Sequence, residues 1–260
     1  MKEIEVRGAG DGVVVVTLAR PEKRNAVSLA MWRELGRLFR GFGGDAAVRA
    51  VILAGAGGHF SAGADISEFA ALRSGAEAAR AYEEVADGAT AAIRDCPRPT
   101  IAAVSGYGVG GGCGIALACD LRVGDATTRM GIPAAKRGIV YGPPDTGLLL
   151  RAVGLSAAKL ILFSGRLLDA AECHRLGLLD VLAPEGSALR AAQALAAEIA
   201  ANAPLSVAGA KLVLEAMARG EAEARAAEIQ AAIGRAVDSA DYREASRAFL
   251  EKRPPVFVGA

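Results

Sequence analysis

What most constrains this 260-residue chain is the segment Ser105-Gly106-Tyr107-Gly108-Val109-Gly110-Gly111-Gly112-Cys113, where glycines crowd between two apolar runs. Upstream, TIAAV at residues 100–104 reads as a strand, and downstream residues 112–119 read as a short apolar helix. A strand that hands over to a helix through glycines leaves the helix's first backbone N–H groups unpaired, pointing at whatever binds there. A second handover lies upstream. RAVIL at residues 49–53 reads as a strand, residues 54–58 as a glycine-rich turn, and His59-Phe60-Ser61-Ala62-Gly63-Ala64-Asp65-Ile66 then precedes a helix. Two such turns brought together make an oxyanion hole.

The rest of the chain supports an α/β architecture, because strands alternate with helices. Residues 12–18 (GVVVVTL) form a β-branched run bounded by turn formers and Arg20-Pro21. Ser28 can cap a helix over residues 29–42, where Leu29, Trp32, Leu35 and Phe39 recur at helical spacing. Residues 68–95 read as a second helical stretch, and 122–123 and 181–182 as short strands. Beyond about residue 187 the pattern is helical only, over 189–201, 206–218, 221–236 and 242–252, and Pro254-Pro255 ends it. The expected division is a core over residues 1–200 and a helical subdomain over 201–260.

Charge and composition narrow the function. Lys plus Arg number 30 against 29 for Asp plus Glu, so no field is present to draw in nucleic acid. No uncharged apolar run reaches the ~20 residues of a membrane span, so no membrane partner is expected. Cys96, Cys113, Cys119 and Cys173 form no C-x-x-C pair, and the chain opens on no secretory leader, which together predict reduced thiols in the cytoplasm. With only His59 and His174 present, a zinc site or histidine-based triad has almost no raw material, and no metal is expected. The hydrophobic fraction of 52%, largely alanine, fits a helical protein that buries more surface in an oligomer.

The glycines alone admit other readings. Gly106-x-Gly108-x-x-Gly111 satisfies the dinucleotide fingerprint and Asp125 lies downstream, but a strand and a long helix already precede it, whereas the fingerprint normally opens its βαβ unit. Tight packing of a helix on a strand would use the same glycines. His59-x-Ser61-x-Gly63 narrowly misses the G-x-S-x-G nucleophile elbow.

Taken together, FSAGADI and GYGVGGGCGIALACDLR, spaced as they are, resemble the enoyl-CoA hydratase/isomerase (crotonase) superfamily. The resemblance runs from LARPEKRNA at residues 18–26 to FLEKRPP at 249–255, through PRPTIAAV at 97–104, LRAVG at 150–154 and SGR at 164–166 with AAE at 170–172. It implies a spiral of ββα units with a C-terminal helical trimerisation subdomain, assembled as trimers or pairs of trimers. It also implies an acyl-CoA thioester as substrate, with coenzyme A entering as part of it and no other cofactor. By position, the N–H groups of Ala64 and Gly111 would hold the thioester oxygen as it becomes an enolate, where one fixed donor is worth about 10²–10³ in rate. Ala62, Asp65 and Ile66 would line the adenine and pantetheine, and Phe249 and Lys252 would approach the coenzyme A of a neighbouring subunit.

Against this family the chain departs at two places. Similar hydratases carry two glutamates, and their positions fall here on Gly114 and Ala134, neither of which can move a proton. Such a group typically supplies about 10²–10⁴-fold. Tyr141, Asp145, Lys136, Arg137 and Glu68 are the remaining candidates. Tyr141 falls where the related methylmalonyl-CoA decarboxylase has a tyrosine, and losing CO₂ generates an enolate without a base. Asp145 follows Pro143-Pro144 in a loop that supplies carboxylates in dehalogenases and naphthoyl-CoA synthases of the superfamily; otherwise it caps a helix beginning near Thr146. Lys136 and Arg137 are expected in solvent or at a subunit contact, Glu68 on a helix surface, and Cys113 in packing. The leading expectation is an acyl-CoA enzyme of the hydratase/isomerase type. The alternatives are a malonyl-type acyl-CoA decarboxylase using Tyr141, a non-catalytic acyl-CoA-binding subunit, and a dinucleotide oxidoreductase.

Overall fold

A strand covered on both faces must be apolar along its whole length. The computed structural model, which describes residues 2–260, places that kind of strand at the centre of the molecule. An edge strand β1 (Ile4–Gly8) turns back into β2 (Val13–Leu18), followed by helix α1 (Leu29–Gly44) and β3 (Ala50–Gly55). Ser28 starts α1 as its sequence predicts, its Oγ accepting the Met31 N–H at 3.2 Å. Glu68 is a correction. Its Oε2 accepts the Leu29 N–H at 2.8 Å, so it caps α1 from 39 residues away instead of facing solvent.

The stretch read as one helix over 68–95 is two, α2 (Phe69–Leu72) and α3 (Ala76–Arg94). Extended backbone at Gly75 separates them, where Ser74-Gly75 offers poor helix formers. Then come β4 (Thr100–Val104), β5 (Tyr107–Val109), α4 (Gly111–Ala118), β6 (Leu121–Asp125), β7 (Arg129–Gly131) and α5 (Pro143–Ser164). Helix α5 has the length and apolar composition of a membrane span, but it is broken at Gly154, whose φ is +74°. The chain closes with β8 (Leu168–Asp169), α6 (Ala170–Leu176), β9 (Val181–Ala183), α7 (Ala188–Ala200), α8 (Pro204–Ala218), α9 (Ala226–Val237) and α10 (Ala240–Glu251).

Two sheets result. The larger runs β1-β2-β3-β4-β6-β9, parallel except for β1, and the smaller runs β5-β7-β8. Strands β4 and β6 of the large sheet are each followed at once by a strand of the small one and then by a helix, which is the ββα spiral. After β3 the pattern repeats in outline, because Ser61 makes a parallel bridge to Gly108 in β5. Side chains alternate across the large sheet. Val51 and Leu53 pack with Trp32, Leu35 and Ile93 of α1 and α3, whereas Ala50, Ile52 and Ile101 pack with α7. Helix α7 meets the sheet through a row of alanines four apart, Ala192, Ala196 and Ala200, so it lies close. A larger side chain in that row should cost about 1–3 kcal/mol by overpacking.

Beyond α7, Lys211 of α8 reaches back to Asp120 at 2.7 Å. The C-terminal tail is tied to α10, with the N–H groups of Val258 and Gly259 donating to the Asp241 carboxylate at 2.7 and 2.9 Å.

Candidate active site

The two glycine-rich handovers meet. Ser61 donates its N–H to Tyr107 O at 2.7 Å, and its carbonyl accepts from Val109 N–H at 2.9 Å, so the segment is held on the edge of the small sheet. On its other side Gly63 O accepts from Val27 N–H at 2.8 Å, and Asp65 N–H donates to Val27 O at 2.9 Å. The groups on either side of Ala64 are thus engaged, while the Ala64 N–H has no hydrogen-bond partner among the described residues. Across from it, Gly110 turns the chain into α4 with φ +58°, and the N–H of Gly111, the first residue of that helix, is likewise free among the described residues. The two groups are neighbours. A Cβ on Gly111 would stand 3.5 Å from Ala64 N and 3.2 Å from Cζ2 of Trp32. Gly63, at φ +95°, passes so near that a Cβ there would meet Val109 O at 2.6 Å and Gly111 N at 3.2 Å.

The other glycines have a packing role instead of a nucleotide one. Gly106 and Gly108 lie at the crossing into the small sheet, where a Cβ on Gly106 would collide with His59 and Gly58 O, and one on Gly108 would press on Val104 and Met130. The fingerprint glycines therefore do not form a single turn at the head of a first βαβ unit.

Both N–H groups border a cavity of about 360 Å³. Trp32, Ala62, Ile66, Phe69, Tyr82, Ala134 and Tyr141 supply much of its wall, and Asp145 its acid. Asp145 sits in the first turn of α5 but does not cap it; no side chain does. Its carboxylate instead projects over α4, where a Cβ on Gly114 would stand 3.6 Å from both oxygens. Oδ1 is buried with no hydrogen-bond partner among the described residues. Burial pushes the Asp145 carboxyl up to about 6, and the nearby Asp87 and Glu83 carboxylates add to the rise. An acid of that kind exchanges its proton near neutral pH.

Several of the groups around it are neutral or paired. Tyr141 holds its hydroxyl 3.4 Å from where a Gly110 Cβ would stand, and burial, then the charge of Asp145, pushes the phenol above its ordinary value. Tyr82 accepts from Trp32 Nε1 at 3.1 Å, and burial raises its phenol to about 12. Glu83 is bridged by Arg73 at 2.6 Å, and that guanidinium lies 4.5 Å over the Phe69 ring. Cys113, fully buried, is pushed up to about 12 by desolvation and remains a packing thiol. Arg137 stands at the cavity, whereas Lys136 packs its stem near Gly165.

The expected coenzyme A contacts divide. Ala62 and Ile66 line the cavity, and Asp65 does not. Asp65 is 5% exposed, and its carboxylate takes hydrogen bonds at 2.9 Å from both Arg20 and Lys23. Burial disfavours its charge, but those bonds and one from Ser67 outweigh it and hold the carboxyl far below its ordinary value. Asp65 thus anchors the loop as a buried ion-pair hub. Phe249 is 84% exposed on α10, and Lys252 closes that helix in the left-handed conformation; both are expected at the coenzyme A of a neighbouring subunit and lie outside this chain's own cavity. Sequence reasoning missed Tyr82, Glu83 and Asp87, which α3 brings to the cavity wall. Their i, i+4 acidic spacing is also that of an ordinary solvated helix face, so no local signal marked them.

A six-stranded sheet, a three-stranded sheet and trailing helices wound in this order define a crotonase-type α/β fold. The enoyl-CoA hydratase/isomerase family profile matches residues 8–260. The chain is 34% identical over 245 residues to the short-chain-enoyl-CoA hydratase of Clostridium acetobutylicum, covering 93% of this chain and 92% of that protein. It superposes on an enoyl-CoA hydratase/carnitine racemase from Magnetospirillum magneticum with a TM-score of 0.91 at 35% identity, covering 100% of this chain and 97% of that one. An enoyl-CoA hydratase from Bacillus anthracis superposes at 0.92 with 30% identity over the full length of both. The chain belongs to the enoyl-CoA hydratase/isomerase family and is an acyl-CoA enzyme of that type.

Proposed function

We propose that this enzyme moves a double bond along an acyl-CoA thioester by forming an enolate, with the Ala64 and Gly111 N–H groups as the oxyanion hole and Asp145 as its one acid–base group. The observation that carries this reading is the unpartnered Asp145 Oδ1 standing over Gly114, beside two free N–H groups on the same cavity. With a β,γ-enoyl thioester bound, the Asp145 carboxylate takes a proton from Cα. The electron pair moves into the thioester carbonyl, whose oxygen becomes an oxyanion held by the two N–H groups. The resulting dienolate takes the proton back at Cγ from the same carboxyl, leaving the α,β-enoyl thioester. One carboxylate suffices because the proton leaves and returns on the same face.

Hydration by the two-glutamate route asks for more. Gly114 and Ala134 stand where similar hydratases carry their acids, and Ala134 is buried against the core with nothing to donate. Crotonyl-CoA hydration should therefore run orders of magnitude below an ordinary hydratase turnover of about 10–10³ s⁻¹.

Assay of a β,γ-enoyl-CoA panel tests this reading. Conversion to the conjugated thioester, lost in Asp145→Asn, is the expected result. Full hydratase turnover with no isomerisation would overturn it. The expected assembly is a trimer or pair of trimers, in which exposed apolar side chains of the last helices, such as Leu214, Met217 and Ile233, would be covered.

A further inference from the structure

We infer that Asp87 of α3 is a positioning residue for Asp145: the two carboxylates border one cavity, and the charge of Asp87 bears on the proton that Asp145 passes to and from the acyl chain. The inference rests on the acid–base role proposed for Asp145. Several features of the wall single out Asp87. Asp145, Asp87 and Glu83 all border the cavity, but Glu83 has its charge matched by Arg73 at 2.6 Å. Asp87 makes no ion pair among the described residues, and its side chain accepts no hydrogen bond there. Its position, one helical turn beyond Glu83, turns it to the same side of α3. Asp145 in turn has a buried oxygen with no donor to satisfy it.

Two carboxylates that border one cavity repel each other when both are ionised, so the first to lose its proton raises the affinity of the other. The groups facing Asp145 bear this out by element. Asp87 and Glu83 approach it from α3, and both push its carboxyl upward after burial itself. From α4 comes the neutral thiol of Cys113, and from the segment leading into α5 the neutral phenol of Tyr141. Arg137 and Arg80 stand on the cavity wall, and neither is ion-paired to either aspartate. Burial also raises the Asp87 carboxyl. Of the acids near Asp145, Asp87 alone among the described residues is both on the cavity and uncompensated.

The consequence is a base raised first by burial and then tuned by a residue that need not touch the reacting atoms. In deuterated buffer, wash-in of deuterium at Cα of a β,γ-enoyl-CoA reads enolate formation directly, and its rate should rise with pH as Asp145 ionises. In Asp87→Asn that rising limb should move to a pH lower by about one, because a like charge has been removed. Asp87→Ser, which removes the charge with a different shape, should move it by the same amount, while Asp87→Glu should hold it in place. A limb that stays put in both neutral variants, or that moves in only one of them, overturns the inference. Asp145→Asn separates the two ideas. If it leaves wash-in intact, the acid–base reading of Asp145 fails. If it abolishes wash-in while the Asp87 variants keep the native limb, the coupling alone fails.

Discussion

The carboxylate of Asp145 occupies the space in front of Gly114: a Cβ on that glycine would stand 3.6 Å from each of its oxygens. Two positions 31 residues apart in sequence thus share one piece of the cavity, and what one gives up the other fills. The absence of a side chain at residue 114 is therefore matched by an acid entering from α5.

Gly114→Glu should not by itself install hydration. The new carboxylate would meet Asp145 in a site that already resists one charge, and a displacement of an ångström can cost about 10²-fold. Isomerase activity should fall by that order. Hydration of crotonyl-CoA should become measurable only in the triple change Gly114→Glu, Ala134→Glu and Asp145→Gly, which clears the space before refilling it. Hydration by Gly114→Glu and Ala134→Glu alone would show that Asp145 does not obstruct the site.

A Cβ on Gly111 would stand 3.2 Å from the Trp32 ring as well as 3.5 Å from Ala64 N. Gly111→Val should remove enolate formation entirely, losing at least the ~10²–10³ of one oxyanion donor. Far-ultraviolet circular dichroism should still report a folded chain. Turnover retained within tenfold would sink the oxyanion assignment. The companion Trp32→Phe removes the Nε1 donor to Tyr82 and loosens the wall behind Gly111. It should raise KM more than it lowers kcat.

How far the sequence revealed this site depends on the element. The strands at 12–18, 49–53 and 100–104 were legible because β-branched and apolar residues fill runs bounded by turn formers, and the observed strands differ from them by two residues at most. Strands β5, β7 and β8 were not, since two or three residues carry no period. The free N–H groups of Ala64 and Gly111 lie in the segments that the glycine patterns marked. Asp145 was legible as a candidate acid, with a helix cap as its other reading, but nothing local says that the first turn of α5 points across α4. The capping of α1 by Glu68 and the presence of Asp87 in the cavity wall are long-range facts of packing, and no pattern within either helix encodes them.

Tyr141→Phe separates isomerisation from decarboxylation. The hydroxyl has no hydrogen-bond partner among the described residues, and the phenol is pushed up by burial and by Asp145, so it stays protonated at any working pH. As a bystander to a one-carboxylate proton shift, its loss should change isomerisation by less than about tenfold. Assay of methylmalonyl-CoA and ethylmalonyl-CoA should find no CO₂ release in either protein. Decarboxylation that disappears with the hydroxyl would replace the isomerase reading.

Asp145→Asn should stabilise the protein while disabling it, and only above a certain pH. The native carboxyl is raised from 3.8 to about 6, burial first and then Asp87 and Glu83. Between those values the folded chain therefore holds a proton that the unfolded chain releases, and stability falls as pH rises through that window. Below pH 4 both states carry a neutral acid, and the asparagine variant should melt with the native protein. Above pH 6 the native fold carries a desolvated anion that asparagine lacks. A tenfold difference in proton affinity between the folded and unfolded chain is worth about 1.4 kcal/mol, so the variant should gain on the order of 1–3 kcal/mol at pH 8. For a chain of this size that is several degrees in Tm. Calorimetry of both proteins at pH 4 and pH 8 measures the difference directly. A gain of equal size at both pH values would mean that charge is not its source, and a loss at pH 8 would mean that Asp145 is held by contacts stronger than its burial. The expected pattern, a gain confined to the higher pH, would mark Asp145 as a group kept at a cost to the fold for what it does in the cavity.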